Sequence, residues 1–250
     1  MLISQRFLAA DTVANAATAI DLSDVLFRFS RQQDSFCLTL PALQIAAGAR
    51  AALVGPSGAG KSTLLGLIAG VLLPERGQVD ILAQPLTALS GKQRDRFRAD
   101  NLGIIFQQFN LLPYLSVLDN VVLALEFSQF ASLSSAEKKD RACHFLNALD
   151  IDVSKMAQQK AAQLSVGQQQ RVAAARACVA NPKLILADEP TSGLDAERQE
   201  AFLELLFRQQ EQTAATLLMV THDRHLAGQF HQIIDLQHIT QVGPGAAGRS

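Results

Sequence analysis

Eight consecutive residues, Gly55-Pro56-Ser57-Gly58-Ala59-Gly60-Lys61-Ser62, have the types that a polyphosphate demands, at the spacing G-x-x-x-x-G-K-[ST]. The glycines let backbone N–H groups turn inward around a β-phosphate. A helix beginning at Lys61 adds the positive end of its dipole. The Lys61 ammonium would reach the β- and γ-phosphates and the Ser62 hydroxyl a Mg²⁺ ion, with Thr63 completing the set. Further along, Leu184-Ile185-Leu186-Ala187-Asp188-Glu189 is an apolar run ending in two carboxylates. Such a pair can divide its work. Asp188 would hold the metal through water, and Glu189 would act as general base on an attacking water. Many strands end in acids, so the pair gains its weight from the phosphate loop upstream.

These side chains need elements to position them. Ala51 to Val54 reads as a small, buried parallel strand, and Ser62 to Ile68 as the helix after the glycine turn. Val25 to Phe29 and Phe36 to Leu40 are β-like runs ahead of it. Residues 92 to 100 (KQRDRFRAD) read as a solvated helix face. Asn101 to Gln107 holds a second buried-strand signal, residues 115 to 179 are mainly helical, and Leu184 to Ala187 and Thr216 to Val220 are strands flanking a helix over 197 to 212. Strands alternating with helices imply a parallel sheet covered on both faces. The fold class is α/β: a P-loop core with a mainly parallel sheet, a small N-terminal antiparallel β region and an inserted helical subdomain over about 108 to 178. The core domain is expected over 21 to 242, with a loosely attached extension at 1 to 20 and a disordered tail at 243 to 250.

Composition excludes several classes. The chain has 250 residues, 48% hydrophobic and 18% charged, which suits a globular core and not a disordered chain. Its net charge is −1, with none of the basic excess of a phosphate-neutralising nucleic-acid binder, so no nucleic-acid partner is expected. Cys37, Cys143 and Cys178 form no C-x-x-C pair, which argues against zinc or disulfide chemistry and suits a reducing compartment. The apolar stretch Leu64 to Leu73 is broken by Gly66 and Gly70, short of the roughly 20 residues that a membrane span needs. Asp11 interrupts any signal-peptide core near the N-terminus. The expectation is a cytoplasmic protein, peripheral at the inner face of the membrane through a partner.

A third motif is Leu164-Ser165-Val166-Gly167-Gln168-Gln169-Gln170-Arg171. Together with the two above, it resembles the signature motif of ATP-binding cassette (ABC) ATPases, Leu-Ser-Gly-Gly-Gln, with Val166 departing at the third position. The other elements of that family follow in order. Gln107 resembles the Q-loop glutamine that senses Mg²⁺ and contacts the transport partner. Ser192-Gly193-Leu194-Asp195 resembles the D-loop at the dimer interface. Thr221-His222-Asp223 resembles the switch-histidine motif, with His222 on the γ-phosphate. The resemblance implies an ATP- and Mg²⁺-dependent ATPase that works as a head-to-tail dimer. Ser165, Gly167 and Gln168 of one copy would then face the nucleotide of the other. It also implies an aromatic stacked on adenine: Phe29, with Phe27 as the alternative. On a strand the two share a face, so spacing does not choose between them.

Ile104 to Leu125 (IIFQQFNLLPYLSVLDNVVLAL) is similar to cassettes of the lipoprotein-release, macrolide-export and cell-division subgroup. A membrane permease contacted near the Gln107 loop is the partner this implies. Phe109, Leu111, Leu112, Pro113 and Tyr114 would line its groove or else belong to the subdomain core. Leu236 to Ile239 lacks the glycine of the family's late hairpin. Two other classes stand beside this one. An ABC ATPase acting on DNA or ribosomes usually carries coiled-coil insertions or tandem cassettes, and this chain has neither. A P-loop kinase or GTPase would leave Ser165 and His222 unexplained.

Overall fold

The computed structural model describes residues 17–30 and 36–244. Five strands form a parallel sheet: β3 (Arg50–Val54), β6 (Leu102–Ile105), β7 (Leu184–Asp188), β8 (Thr216–Thr221) and β9 (Gln232–Asp235), in the order β6-β7-β8-β3-β9. Their side chains alternate between two apolar cores, as the period of two requires. Ala52, Val54, Ile185, Ala187, Leu217 and Met219 face one core, while Ala51, Leu53, Leu184, Leu186, Leu218 and Val220 face the other. With both faces buried, these strands read as continuous apolar runs.

The first face is covered by helices α3 (Val117–Glu126), α4 (Ser135–Ala148), α6 (Val166–Cys178) and α7 (Ala196–Thr213), with the one-turn α5 (Val153–Met156) beside them. The expected helical block thus resolves into four helices. Gly103 marks the tightest approach of sheet and helices: a Cβ there would meet the Ala177 carbonyl oxygen at 2.3 Å. Only glycine lets β6 lie this close to α6.

The second face packs α1 (Lys61–Ile68) and an antiparallel sheet, ordered β10-β2-β1-β4-β5. Its strands are β1 (Thr18–Arg28), β2 (Phe36–Ala46), β4 (Arg76–Ile81), β5 (Gln84–Pro85) and β10 (Gln241–Pro244). Asp24, at φ 51°, interrupts the alternation, so the inward set passes from Ile20 and Leu22 to Val25 and Phe27. Helix α2 (Gly91–Asn101) has no buried residue, as its mixed charge predicts. Two short helices, α8 (Arg224–Ala227) and α9 (Leu236–Ile239), flank β9.

Two boundaries differ from the sequence reading. Thr18, Ala19 and Ile20, placed in the loose extension, belong to β1, where Ala19 and Ile20 are fully buried. The rest of the extension, 1–16, lies outside the described residues. Gly243 and Pro244, placed in the disordered tail, pair with Cys37 and Phe36 of β2, and 245–250 lie outside the described residues. Where the sequence lacks the late hairpin's glycine, the single helical turn α9 joins β9 to β10, capped by Asp235, whose carboxylate accepts from the Gln237 N–H at 3.1 Å. Among the described residues no helix is long and apolar enough to cross a membrane.

Candidate functional site: a phosphate loop and a separate signature face

The loop between β3 and α1 is shaped by two glycines in left-handed backbone, Gly58 at φ 79° and Gly60 at φ 91°. A side chain would be strained at either position. Gly60 precedes α1 and offers no side-chain cap. Among the α-helices of the described residues α1 is alone in this. Ser90, Ser116, Ser134, Asp152, Ser165, Asp195, Asp223 and Asp235 each cap the helix that follows them. With no side-chain cap among the described residues, the first N–H groups of α1 are left available to a phosphate.

Lys61 is buried, 8% exposed, and its Nζ donates to the carbonyls of Gly55 at 2.8 Å and Pro56 at 3.1 Å. It also lies 3.4 Å from Glu189 Oε1. The Ser62 hydroxyl donates to Asp188 Oδ2 at 3.0 Å. Two motifs 126 residues apart in sequence therefore meet at one point. Glu189 is held at φ 43°, a left-handed conformation rare for glutamate, by its N–H donating to the Val220 carbonyl at 3.0 Å. There its carboxylate bridges Lys61 and His222, whose Nδ1 is 3.3 Å from Oε2. Burial pushes the Asp188 carboxyl above the usual aspartate range, and the Glu189 charge adds to that; the Ser62 hydroxyl and Lys61 oppose it.

These groups open onto a cavity of about 420 Å³ lined by Phe29, Ser57, Gly58, Gly60, Lys61, Ser62, Thr63, Gln107, Asp188 and Glu189, and by Phe36. Gly55, Pro56 and Ala59 form the loop behind it, and His222 joins through Glu189. The structure separates the two aromatic candidates. Phe27 is 6% exposed in the core, whereas Phe29, just past the end of β1, is 63% exposed at the cavity. The two do share a side, as expected, with their rings edge-to-face at 4.8 Å between centroids; it is exposure that tells them apart, since β1 stops at Arg28 and leaves Phe29 beyond the sheet. Phe36 was missed. The β1–β2 register pairs Arg28 with Cys37, so Phe36 falls opposite Phe29, ring centroids 5.7 Å apart. No local signal in the sequence reveals that pairing.

The signature residues lie elsewhere. Ser165, Val166, Gly167 and Gln168 line a second cavity of about 460 Å³ with Gly193, Leu194 and Arg198, and the two cavities share no lining residue. Ser165 and Gln168 form a capping box on α6: the hydroxyl accepts from the Gln168 N–H at 3.4 Å, and the Gln168 side-chain Oε1 accepts from the Ser165 N–H at 2.9 Å. Asp195 lines neither cavity and caps α7, accepting from the Arg198 N–H at 3.0 Å. Behind this face, buried Gln170 on α6 donates to the Pro190 carbonyl at 2.8 Å and ties the signature helix to the segment after Glu189.

Of the five residues expected at a groove or in the core, Phe109 is buried, Leu111 packs on the core and Leu112 is half-buried, while Pro113 and Tyr114 are exposed. An apolar groove of about 400 Å³ does lie near the Gln107 loop, but its walls are Leu102, Ile104, Phe106, Ala124, Phe127 and Arg176.

A phosphate loop before an uncapped helix, with a serine and two carboxylates converging on it, defines a nucleotide-hydrolysing P-loop protein. The ABC transporter family model matches residues 38–192, and the chain belongs to that family: it is an ATP-binding cassette ATPase. It is 40% identical over 195 residues to the uncharacterized ABC transporter ATP-binding protein MJ0796 of Methanocaldococcus jannaschii, covering 78% of this chain and 83% of that one. It is 40% identical over 185 residues to the lipoprotein-releasing system ATP-binding protein LolD of Psychrobacter arcticus, covering 74% and 80%. The dimeric post-hydrolysis structure of MJ0796 bound to ADP and Pi superposes with a TM-score of 0.77 at 36% identity, covering 86% of this chain and 93% of that one.

Proposed function

We propose that two copies of this cassette close head-to-tail around ATP and that hydrolysis drives a membrane permease, by transport or by force transmitted across the membrane. The observation that carries this reading is the division of the site. One cavity holds the phosphate loop, Asp188, Glu189 and Gln107, and the other holds Ser165 and Gly167. A two-fold axis brings the second cavity of each copy onto the first cavity of its partner. The dimer of MJ0796 with ADP and Pi supports the same arrangement here.

In this reading the adenine stacks on Phe29, with Phe36 beside it. The free N–H groups of α1 and the Lys61 ammonium hold the phosphates. Ser62, Asp188 and Gln107 form an oxygen donor set that suits Mg²⁺. Among the described residues no cluster of three or more His, Cys, Asp or Glu could hold a metal unaided. That fits an ion shared between one carboxylate, a hydroxyl and the substrate's own phosphates. Mg²⁺ when bound neutralises charge on the phosphate oxygens. Glu189, fixed between Lys61 and His222, takes a proton from the attacking water, and His222 steadies that water and the γ-phosphate. Ser165 and Gly167 of the second copy close the site, while Asp195 lies at the joint between copies. Gln107 reports the state of the phosphates to a permease segment at the neighbouring apolar groove. The likeness to LolD supports a permease of the lipoprotein-release type.

The direct test is Glu189→Gln. It should keep ATP binding and lose turnover by about 100-fold or more, the usual weight of a general base. Turnover within about twofold of wild type would remove Glu189 from that role.

A further inference from the structure

Gln107 lies in a turn that is held open by unusual means. Phe109 and Asn110 are consecutive non-glycine residues in left-handed backbone, at φ 59° and φ 49°. Asparagine tolerates this; phenylalanine does so only under strain. The Phe109 N–H donates to the Phe106 carbonyl at 2.9 Å and closes the turn over Gln107. The two left-handed residues present their carbonyls to one partner, Arg176. Its Nη2 donates to the Phe109 oxygen at 2.6 Å and its Nη1 to the Asn110 oxygen at 2.7 Å. A planar guanidinium matches two successive carbonyls in a way that an ammonium does not. On the far side, buried Asn120 brackets Leu112, accepting from its N–H at 2.8 Å and donating to its carbonyl at 3.1 Å. The loop is thus clamped at both ends, with Gln107 facing the phosphate cavity just before the first clamp.

Arg176 belongs to α6, the helix that starts at the signature residues. Thirteen residues span about 20 Å, so one rigid rod carries Ser165 at one end and the Gln107 clamp near the other. Gly103 sets how closely that rod lies on β6. The Arg176 side chain also forms part of the wall of the apolar groove.

We propose that Arg176 is a positioning residue for ATP hydrolysis: its guanidinium holds the Phe109–Asn110 turn so that Gln107 stays on the phosphate cavity, and it ties that placement to the signature helix. The proposal rests on Gln107 serving the ATP site. A displacement of α6 on dimer closure, or of the groove wall by a docked partner, then moves Gln107 through one side chain.

The test is a double-mutant cycle on steady-state ATPase of the purified full chain, with Arg176→Met, Gln107→Ala and the pair. Arg176→Met should lower kcat about tenfold, leave KM for ATP within about twofold and raise the Mg²⁺ concentration for half-maximal rate. In the Gln107→Ala background the same change should cost less than about twofold, because the group it positions is gone. Arg176→Lys, which reaches one carbonyl but not both, should fall between, and it replaces Arg176→Met in the cycle should the latter fail to fold. Equal losses in both backgrounds, or a rise in KM with kcat unchanged, would overturn the proposal. A Gln107→Ala variant with wild-type turnover and Mg²⁺ dependence would remove Gln107 from the ATP site and the role of Arg176 with it.

Discussion

Phe27 and Phe29 are chemically identical and two positions apart, yet they should respond to truncation in opposite ways. Phe29→Ala removes an exposed ring from the cavity mouth. ATP affinity should fall about tenfold, within the roughly 1–3 kcal/mol of a base–aromatic stack, with the melting temperature unchanged. Phe27→Ala empties a core position and should cost about 3–5 kcal/mol of stability, with ATP affinity of the folded protein nearly intact. Nucleotide titration and thermal melts of both variants check this, and unaltered ATP binding by Phe29→Ala would remove it as the adenine platform. At this scale the phosphate loop, Asp188, Glu189 and the signature residues were legible in the sequence, because each chemistry is packed into a few consecutive positions. Phe36 and Arg176 were not. The first depends on the register of a hairpin, and the second on a helix reaching a loop 66 residues away in sequence.

Helix α1 is set apart by what it lacks, since its N-terminus is left free where the other α-helices among the described residues are capped by Ser or Asp. Ser165 carries two burdens that can be separated: it caps α6 and, in the proposed dimer, faces the phosphates of the partner's ATP. Ser165→Asp keeps a good cap, so the stability of the isolated protein should move by no more than about 0.5 kcal/mol. Its carboxylate would meet the phosphates across the interface, and turnover should fall more than about tenfold. Melting curves and ATPase rates of this variant decide the point; wild-type turnover would contradict a role for Ser165 at the nucleotide. The elements themselves were readable from alternation and helical period, within one or two residues for β3, α1, β7 and β8. Strands β4 and β9, with too little apolar alternation to stand out, were not read, and two further misses lie at the chain ends. Thr18 to Ile20 and Gly243–Pro244 are drawn into a sheet by pairing with β2, a long-range contact that local composition does not encode.

In the whole molecule, the β-sheet puts Asp188, Glu189 and His222 at the ends of neighbouring parallel strands and brings the phosphate loop to them from β3. The signature residues start a helix whose far end grips the Gln107 loop. The phosphate loop and the signature residues thus line two separate cavities, which the proposed function reads as the two halves of one ATP site. The family resemblance already implied that the two motifs lie apart on one copy; the packing of α6 and α7 on the sheet is what sets them apart. The account depends on the two halves meeting between copies. Sedimentation velocity of Glu189→Gln, with and without MgATP, tests this most directly. The prediction is a monomer without nucleotide and a stable dimer with it. A protein that binds MgATP to saturation and still sediments as a monomer would contradict the account.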